Sequence, residues 1–238
     1  MHRFYSPPAA FGPESVRLDE GETRHLRDVL RLGRGDSVNV FDGEGREFLC
    51  SVVSVSRRSA ELRIESETVP TAPESPLELT VAASVTPPDQ FDLAVQKSVE
   101  LGIFRFIPLI TSRSEVRESV ARKRVGRWRR IAYEASKQCG RARLMAVEEP
   151  VPLLELYETA DHSIVLFSER AGVGFDRILP AEKMTIVFGP KGGWDDDELE
   201  LATKNNATVV TFGGRILRAE TAAIALTAII QHRFGDIN

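Results

Sequence analysis

The chain reads as an α/β protein with a mainly parallel sheet in its C-terminal part and a small β-rich barrel before it. Three observations predict this. Beyond residue 76, short β-branched runs alternate with helix-patterned segments, as in a parallel sheet covered by helices on both faces. Two of those runs end in glycine-bearing segments, Phe188 to Trp194 (FGPKGGW) and Phe212 to Leu226 (FGGRILRAETAAIAL), each leading into helix-forming sequence. Glycines at strand ends let backbone approach a small molecule closely, which is how such proteins build a ligand crevice. Finally, Thr68 to Pro76 (TVPTAPESP) has three prolines and no periodicity, so it reads as a linker between unlike halves. The expected domains are residues 1–70 and 71–238.

In the first half, Glu22 to Leu32 places Leu26, Val29 and Leu30 on one helical stripe, with Gly33 at the expected stop. Val38 to Phe41, Phe48 to Val55 and Ala60 to Glu65 are short β-prone runs, separated by Asp42-Gly43-Glu44-Gly45 and by a polar turn around Arg57 and Arg58. A helix with short strands in so few residues suggests a small barrel. Such barrels often present RNA-binding surfaces, although the fold alone does not establish that.

In the second half, Leu79 to Val85 is a strand. A helix from about Gln90 puts Phe91, Ala94, Val95 and Ser98 on one face and stops at Gly102. Phe104 to Ile110 returns as a strand. A basic helix follows, with Trp128, Ile131, Ala132, Ala135 and Cys139 at helical spacing and Gly140 as its stop. Ser163 to Phe167 and Thr185 to Phe188 are buried-type strands. Asp195, Asp196 and Asp197 lie where acidic residues favour a helix N-terminus. Val209 to Phe212 is the last strand and Glu220 to Arg233 the last helix.

At 238 residues, 42% hydrophobic and 28% charged, the composition is that of a soluble globular protein. No apolar run approaches the roughly 20 residues of a membrane span. The N-terminus, MHRFYSPPAAFGPE, lacks the order of a signal peptide, so a cytoplasmic protein is expected. Cys50 and Cys139 lie far apart without metal-ligand spacing and read as thiols in a reducing compartment; no zinc or other metal site is expected. The net charge of −4 hides an asymmetry. From Arg113 to Arg143 eleven basic residues face three acidic ones, a local charge of +8. Local field steers a polyanion, so this run reads either as a solvated helix face or as an RNA contact.

The glycine segments exclude two cofactor classes. FGPKGGW is neither a Walker loop nor GxGxxG, so neither phosphate fingerprint is present. Gly189, Gly192 and Gly193, with Pro190 fixing one φ, make a bend that exposes backbone groups suited to an adenine edge or a ribose hydroxyl; a ligand-free βα turn has the same sequence. Arg215, Arg218 and Glu220 flank apolar Ile216 and Leu217, either as an Arg218–Glu220 pair at a helix start or as a cofactor wall with Arg218 turned to substrate. Arg113 follows the strand ending at Ile110, and loops at strand C-termini are where α/β sites collect; Gln138 and Arg141 fit a phosphate contact or the same crevice, and all three fit plain solvation. His25 reads as a partly buried structural residue. No Ser/His/Asp or Cys/His arrangement can be assembled.

At these residues the chain resembles the ribosomal small subunit methyltransferase E family of the SPOUT superfamily. The likeness covers nearly the whole length. It runs through RHLRDVLRLGRGD (Arg24 to Asp36), QKSVELG (Gln96 to Gly102), TSRS (Thr111 to Ser114), Arg127-Trp128, EASKQCGR (Glu134 to Arg141), GPKGG and RILRAETA (Arg215 to Ala222). The resemblance implies an S-adenosylmethionine-dependent enzyme that methylates N3 of a uridine in 16S ribosomal RNA on the 30S subunit. It further implies a PUA-like barrel over 1–70, and over 71–238 a deep trefoil knot holding the cofactor at a homodimer interface. The implied cofactor residues are Leu166, Phe167, Ser168 and Glu169, then Phe188, Gly189, Pro190, Gly192 and Gly193, then Phe212, Gly213, Ile216, Leu217 and Arg218. Arg218 and Glu220 are the expected catalytic pair. Arg3, Arg24, Arg113, Arg127, Arg130, Gln138 and Arg141 are the expected RNA contacts. Two positions depart from the family pattern: Lys191 stands where Glu is usual, and Val85-Thr86-Pro87-Pro88 carries no base where lysine is usual. The rival readings are a non-catalytic RNA-binding assembly factor and a methyltransferase for another ribosomal or transfer RNA nucleotide.

Overall fold

The computed structural model describes residues 1–170 and 172–237. It divides into two compact units, residues 1–74 with 136–144, and residues 75–135 with 145–238.

The first unit contains β1 (Arg3–Tyr5), β2 (Ser15–Leu18), α1 (Glu20–Arg24), β3 (Ser37–Phe41), β4 (Glu47–Val55) and β5 (Ala60–Thr68). Its five-stranded sheet runs β1-β3-β4-β5-β2, parallel only between β1 and β3. Irregularities at Leu49/Cys50 and Val52/Ser54 bend the long strand β4, and such bulges curl a sheet toward a barrel. The two edges are joined by a side chain rather than a ladder: the buried Ser6 hydroxyl donates to the Arg17 carbonyl at 2.5 Å. Alternate residues face inward, so Phe4, Val16, Leu18, Leu26, Val38, Val40, Cys50, Val52 and Leu62 form one core.

The helix expected over Glu22 to Leu32 is shorter and irregular. Asp19 caps α1 by accepting from Glu22 N at 2.8 Å, and the chain continues as a single π-turn over His25–Val29, where Leu30 N reaches His25 O. The stop is at Arg31, not Gly33. Arg31 takes a left-handed φ of 56°, and Leu32 N bonds to Leu26 O at 3.0 Å, one residue wider than the usual six-to-one closure of an α-helix, as the extra residue of the π-turn requires.

The 136–144 segment is held within this unit by ionic contacts. The Arg3 guanidinium forms two bonds to the Glu47 carboxylate, at 3.0 and 2.8 Å, and donates to the carbonyls of Ser136, Lys137 and Arg141. Lys137 pairs with Glu22 at 2.6 Å and Arg141 with Glu74 at 2.5 Å.

The second unit contains β6 (Glu78–Ser84), α2 (Pro88–Glu100), β7 (Arg105–Ile110), α3 (Glu118–Arg122), most of α4 (Val125–Cys139), β8 (Ala146–Val147), β9 (Val151–Pro152), α5 (Leu153–Thr159), β10 (Ser163–Phe167), β11 (Lys183–Phe188), α6 (Asp196–Lys204), β12 (Thr208–Val210) and α7 (Ala219–Phe234). The strand order is β12-β10-β11-β6-β7-β8, with β9 also on β7, and every pairing is parallel. The central strands β6, β10 and β11 are buried almost continuously, which explains their unbroken apolar sequences. Gly102 and Gly140 do terminate their helices, with φ of 76° and 90°. The basic helix is two helices, α3 and α4. The fully buried Trp128 of α4 packs 4.6 Å from Phe91 of α2.

Candidate active site

A cavity of about 410 Å³ opens at the C-terminal ends of β10, β11 and β12. Strand C-termini are where open α/β sheets collect ligands, because the βα loops diverge there and leave backbone exposed. Three loops build it.

The first follows β10 and contributes Phe167, Ser168 and Glu169. The second follows β11 and contributes Phe188, Gly189, Pro190, Lys191, Gly192, Gly193 and Trp194. These two are locked together. The Phe167 and Phe188 rings stack with centroids 5.4 Å apart, and the buried Trp194 indole donates to Phe167 O at 2.8 Å. A turn closed by Gly193 N to Pro190 O at 2.9 Å shapes the second loop, with Gly193 at φ 69°. The loop then enters α6 through a reciprocal cap. Asp195 accepts from Glu198 N at 2.9 Å and Glu198 accepts from Asp195 N at 3.2 Å, so the acidic run does start a helix.

The third loop follows β12 and contributes Phe212, Arg215, Ile216, Leu217 and Arg218, while Ala219, Ala222 and Leu226 of α7 add an apolar wall. Of the charged lining residues, Lys191, Arg215 and Arg218 are cationic and Glu169 is anionic, so the mouth favours an anionic partner.

Most residues expected at a cofactor site therefore line one cavity. Leu166 and Gly213 do not. Leu166 is fully buried, because the alternation of β10 turns it to the sheet face packed with Leu153, Leu156, Tyr157 and Ala202. Sequence reasoning missed Trp194, Ala219, Ala222 and Leu226 as lining residues. The spacing of Ala222 and Leu226, four apart on α7, is the signal that could have found them.

Arg218 lies at the N-cap position of α7 and lines the cavity, whereas Glu220, in the first turn, does not line it. No ion pair joins them among the described residues, so the reading of a simple Arg218–Glu220 bridge does not hold.

The expected RNA contacts divide into four kinds. Arg24, Arg130 and Gln138 face solvent. Arg127 is exposed but paired with Asp92 at 2.8 Å. Arg3 and Arg141, with side chains only 12% and 3% exposed, are committed to the internal pairs with Glu47 and Glu74 and cannot meet RNA without breaking them. Arg113 donates to Gly192 O at 2.9 Å and Trp194 O at 3.4 Å. His25 is half-buried, its ring edge-on to Phe4 at 6.0 Å, in keeping with a structural role. Burial pushes the Cys50 thiol up to about 12, which keeps it protonated and inert. Among the described residues no three His, Cys, Asp or Glu side chains gather as a metal site, and no helix is long and apolar enough to cross a membrane.

Comparison with known proteins bears on what this cavity serves. A family model described as an RNA methyltransferase domain matches residues 73–231, and one described as an RNA methyltransferase PUA domain matches residues 18–65. Ribosomal RNA small subunit methyltransferase E of Aquifex aeolicus is 31% identical over 98% of this chain and 100% of its own length. The chain belongs to the ribosomal RNA small subunit methyltransferase E family. The family member of Bacillus subtilis is 32% identical over 87% of this chain and 86% of its own. The crystal structure of the Neisseria gonorrhoeae member bound to S-adenosyl methionine superposes with a TM-score of 0.90 at 33% identity, covering all of both chains. The family's α/β methyltransferase domain and N-terminal PUA-type unit are thus both present. The family, the α/β domain with its parallel sheet and the PUA-type unit expected from the sequence are the ones found.

Proposed function

We propose that the protein is an S-adenosylmethionine-dependent methyltransferase acting on N3 of a uridine in 16S ribosomal RNA within the 30S subunit. The observation that carries this reading is the three-loop cavity, in a chain whose Neisseria relative has the same fold over its full length and holds that cofactor. The residues fit such a molecule. The position where Gly189 would carry a Cβ is already filled by the Trp194 ring, leaving bare backbone along that wall. Ile216, Leu217, Ala222 and Leu226 offer apolar surface for an adenosine, and the volume is in the range of small-molecule sites. In this reading Phe167 to Glu169, Phe188 to Gly193 and Phe212 to Arg218 hold the cofactor, mostly through backbone.

Bound S-adenosylmethionine supplies a methyl group whose bond to sulfur breaks as the bond to N3 forms. The protein must align the reactants and deal with the imide proton. Arg218, a guanidinium at the cavity mouth, stabilises the negative charge that uracil develops as N3 loses that proton. Glu220, in the first turn of α7, orients that arginine once substrate is bound or accepts the proton. The other two cations of the mouth, Lys191 and Arg215, hold the phosphates of the substrate strand.

The family's trefoil knot is part of this proposal. What supports it is the course of the chain between β10 and β11: β12 pairs with β10 on one edge, while on the other Val173 N donates to Val209 O and Thr211 N to Val173 O, both at 2.9 Å. A homodimer is likewise proposed. Ile216 is 86% exposed and Phe212 40%, apolar surface beside the cavity that a second copy would cover. A cytoplasmic location follows from a ribosomal substrate.

The deciding experiment is transfer of labelled methyl from S-adenosylmethionine to 30S subunits lacking the modification, with nucleoside mass spectrometry of the product. 3-Methyluridine is expected. Label in another nucleoside would overturn the N3 assignment. Cofactor binding with no transfer would leave a non-catalytic RNA-binding factor.

A further inference from the structure

The loop after β7 makes a set of contacts that the proposed reaction does not use. Ser112 N donates to Glu198 Oε1 at 2.9 Å, and its hydroxyl donates to Asp195 Oδ2 at 2.5 Å. The next side chain, Arg113, donates to Gly192 O at 2.9 Å and Trp194 O at 3.4 Å. Its Cδ and Cβ lie 3.4 and 3.5 Å from where Gly192 would carry a Cβ, so the arginine stem lies along that glycine. Glu115 meets Lys191 at 3.9 Å. Residues 112, 113 and 115 thus grip residues 191, 192, 194, 195 and 198 in reversed order. Glu198 is 8% exposed and is bonded from both sides of the junction, by Ser112 N and by Asp195 N.

A glycine-rich loop has little side-chain packing to fix it, and loses more conformational freedom than any other sequence when it is ordered. Three of the gripped residues, Lys191, Gly192 and Trp194, line the cavity. We infer that the 112–115 loop is a clamp that holds the 191–195 loop in its ligand-ready shape, with Arg113 as its main positioning residue. The inference rests on the cofactor reading above. It replaces the expectation that Arg113 contacts RNA, because its guanidinium already donates to two carbonyls. It also accounts for Lys191: with a carboxylate at 115 opposite it, a cation at 191 adds an attraction to the clamp where a second carboxylate would repel.

Arg113→Ala, Arg113→Lys and Ser112→Ala test this by calorimetry with S-adenosylmethionine, hydrogen exchange of the cofactor-free protein, and RNA KM at saturating cofactor. Arg113→Ala is expected to weaken cofactor binding about tenfold, the loss of a charge-assisted bond, and to speed exchange in 190–198 while β10 amides keep their protection. RNA KM should stay within about twofold. Lysine, with a single ammonium, should recover part of the affinity, and Ser112→Ala should reproduce the faster exchange. Unchanged cofactor affinity with a raised RNA KM would make Arg113 an RNA contact and overturn the clamp. So would a lowered Tm with neither exchange nor cofactor affinity altered. Wild-type protein that binds no S-adenosylmethionine would defeat the cofactor reading instead, and exchange in 190–198 would still decide the clamp.

Discussion

The position where Gly189 would carry a Cβ lies 2.8 Å from Cε2 and 2.9 Å from Nε1 of the Trp194 ring. The glycine is there because a rigid, buried indole occupies the space, and that indole fixes β10 to β11 through Phe167 O. Gly189→Ala must therefore displace the ring or the turn. A loss of roughly 1–3 kcal/mol of stability is expected from overpacking, with cofactor affinity lowered about tenfold, a change of about 1.4 kcal/mol. Trp194→Phe in the same chain removes the crowding ring and should return part of both. A Gly189→Ala protein that binds cofactor as the wild type does would show that the wall is not set by this contact.

Arg218 tests the proposed chemistry. If it stabilises the uracil anion only as the proton leaves, Arg218→Ala lowers kcat by roughly 10²–10³, the usual effect of losing one such donor. Cofactor affinity, held mainly by backbone and apolar wall, should change by less than about threefold. Single-turnover methyl transfer beside calorimetry separates the two quantities. Wild-type turnover would end the assignment.

Arg3 should prove structural. Glu47 is 1% exposed and is shared between Arg3 and the Asn39 amide, which donates at 2.8 Å. Removing the guanidinium leaves a buried carboxylate with one neutral partner, and such losses cost roughly 3–5 kcal/mol. Arg3→Ala is expected to lower the urea midpoint with no direct effect on RNA affinity of the folded fraction. A stable variant with weakened RNA binding would reverse this.

These cases mark what the sequence could tell. Ser163 to Phe167 was legible as a strand to the residue, and β6, β7 and β11 to within one or two, because unbroken apolar runs of that length have one use in an α/β protein. The acidic start of α6 was legible because capping is local in sequence. β1, β2 and α5 were not, being too short for a periodic signal. Two of the three site loops were legible from their glycines at strand ends; the resemblance supplied the third, Leu166 to Glu169, and the identity of the ligand. The eleven basic residues between Arg113 and Arg143 could be counted but not sorted, since whether an arginine faces RNA or a carboxylate depends on partners such as Glu74, Asp92 and Gly192, far away in sequence. Arg31 deceived for a different reason: a non-glycine residue takes the left-handed stop two residues before the glycine that composition favours.

Sorting the basic residues gives an unequal prediction for neighbours. Arg130 faces solvent without a carboxylate partner among the described residues, whereas Arg127 is held by Asp92. Each free cation that meets a phosphate contributes roughly 0.7–0.9 to the slope of log K against log salt. Arg130→Glu should therefore weaken RNA binding and lower that slope by about 1 or more, while Arg127→Glu does less. Filter binding across a salt series measures both, and equal effects would mean the Asp92 pair opens on binding.

Asp195 gives the α6 cap a dependence on pH. The bond from the Ser112 hydroxyl, then that from Glu198 N, hold its carboxyl below the ordinary 3.8, against the opposing effect of desolvation. A carboxylate lowered on folding stabilises the fold while ionised. Its contribution is complete above 3.8 and is lost as pH falls through the depressed value. The Tm difference between wild type and Asp195→Asn should stay constant from neutral pH down to about pH 5 and shrink only in stronger acid. Ser112→Ala removes the largest cause of the depression, so the acid loss should begin at higher pH, nearer 3.8. A Tm difference that persists unchanged into strong acid, or an acid midpoint indifferent to Ser112→Ala, would separate the α6 cap from the 112–115 clamp.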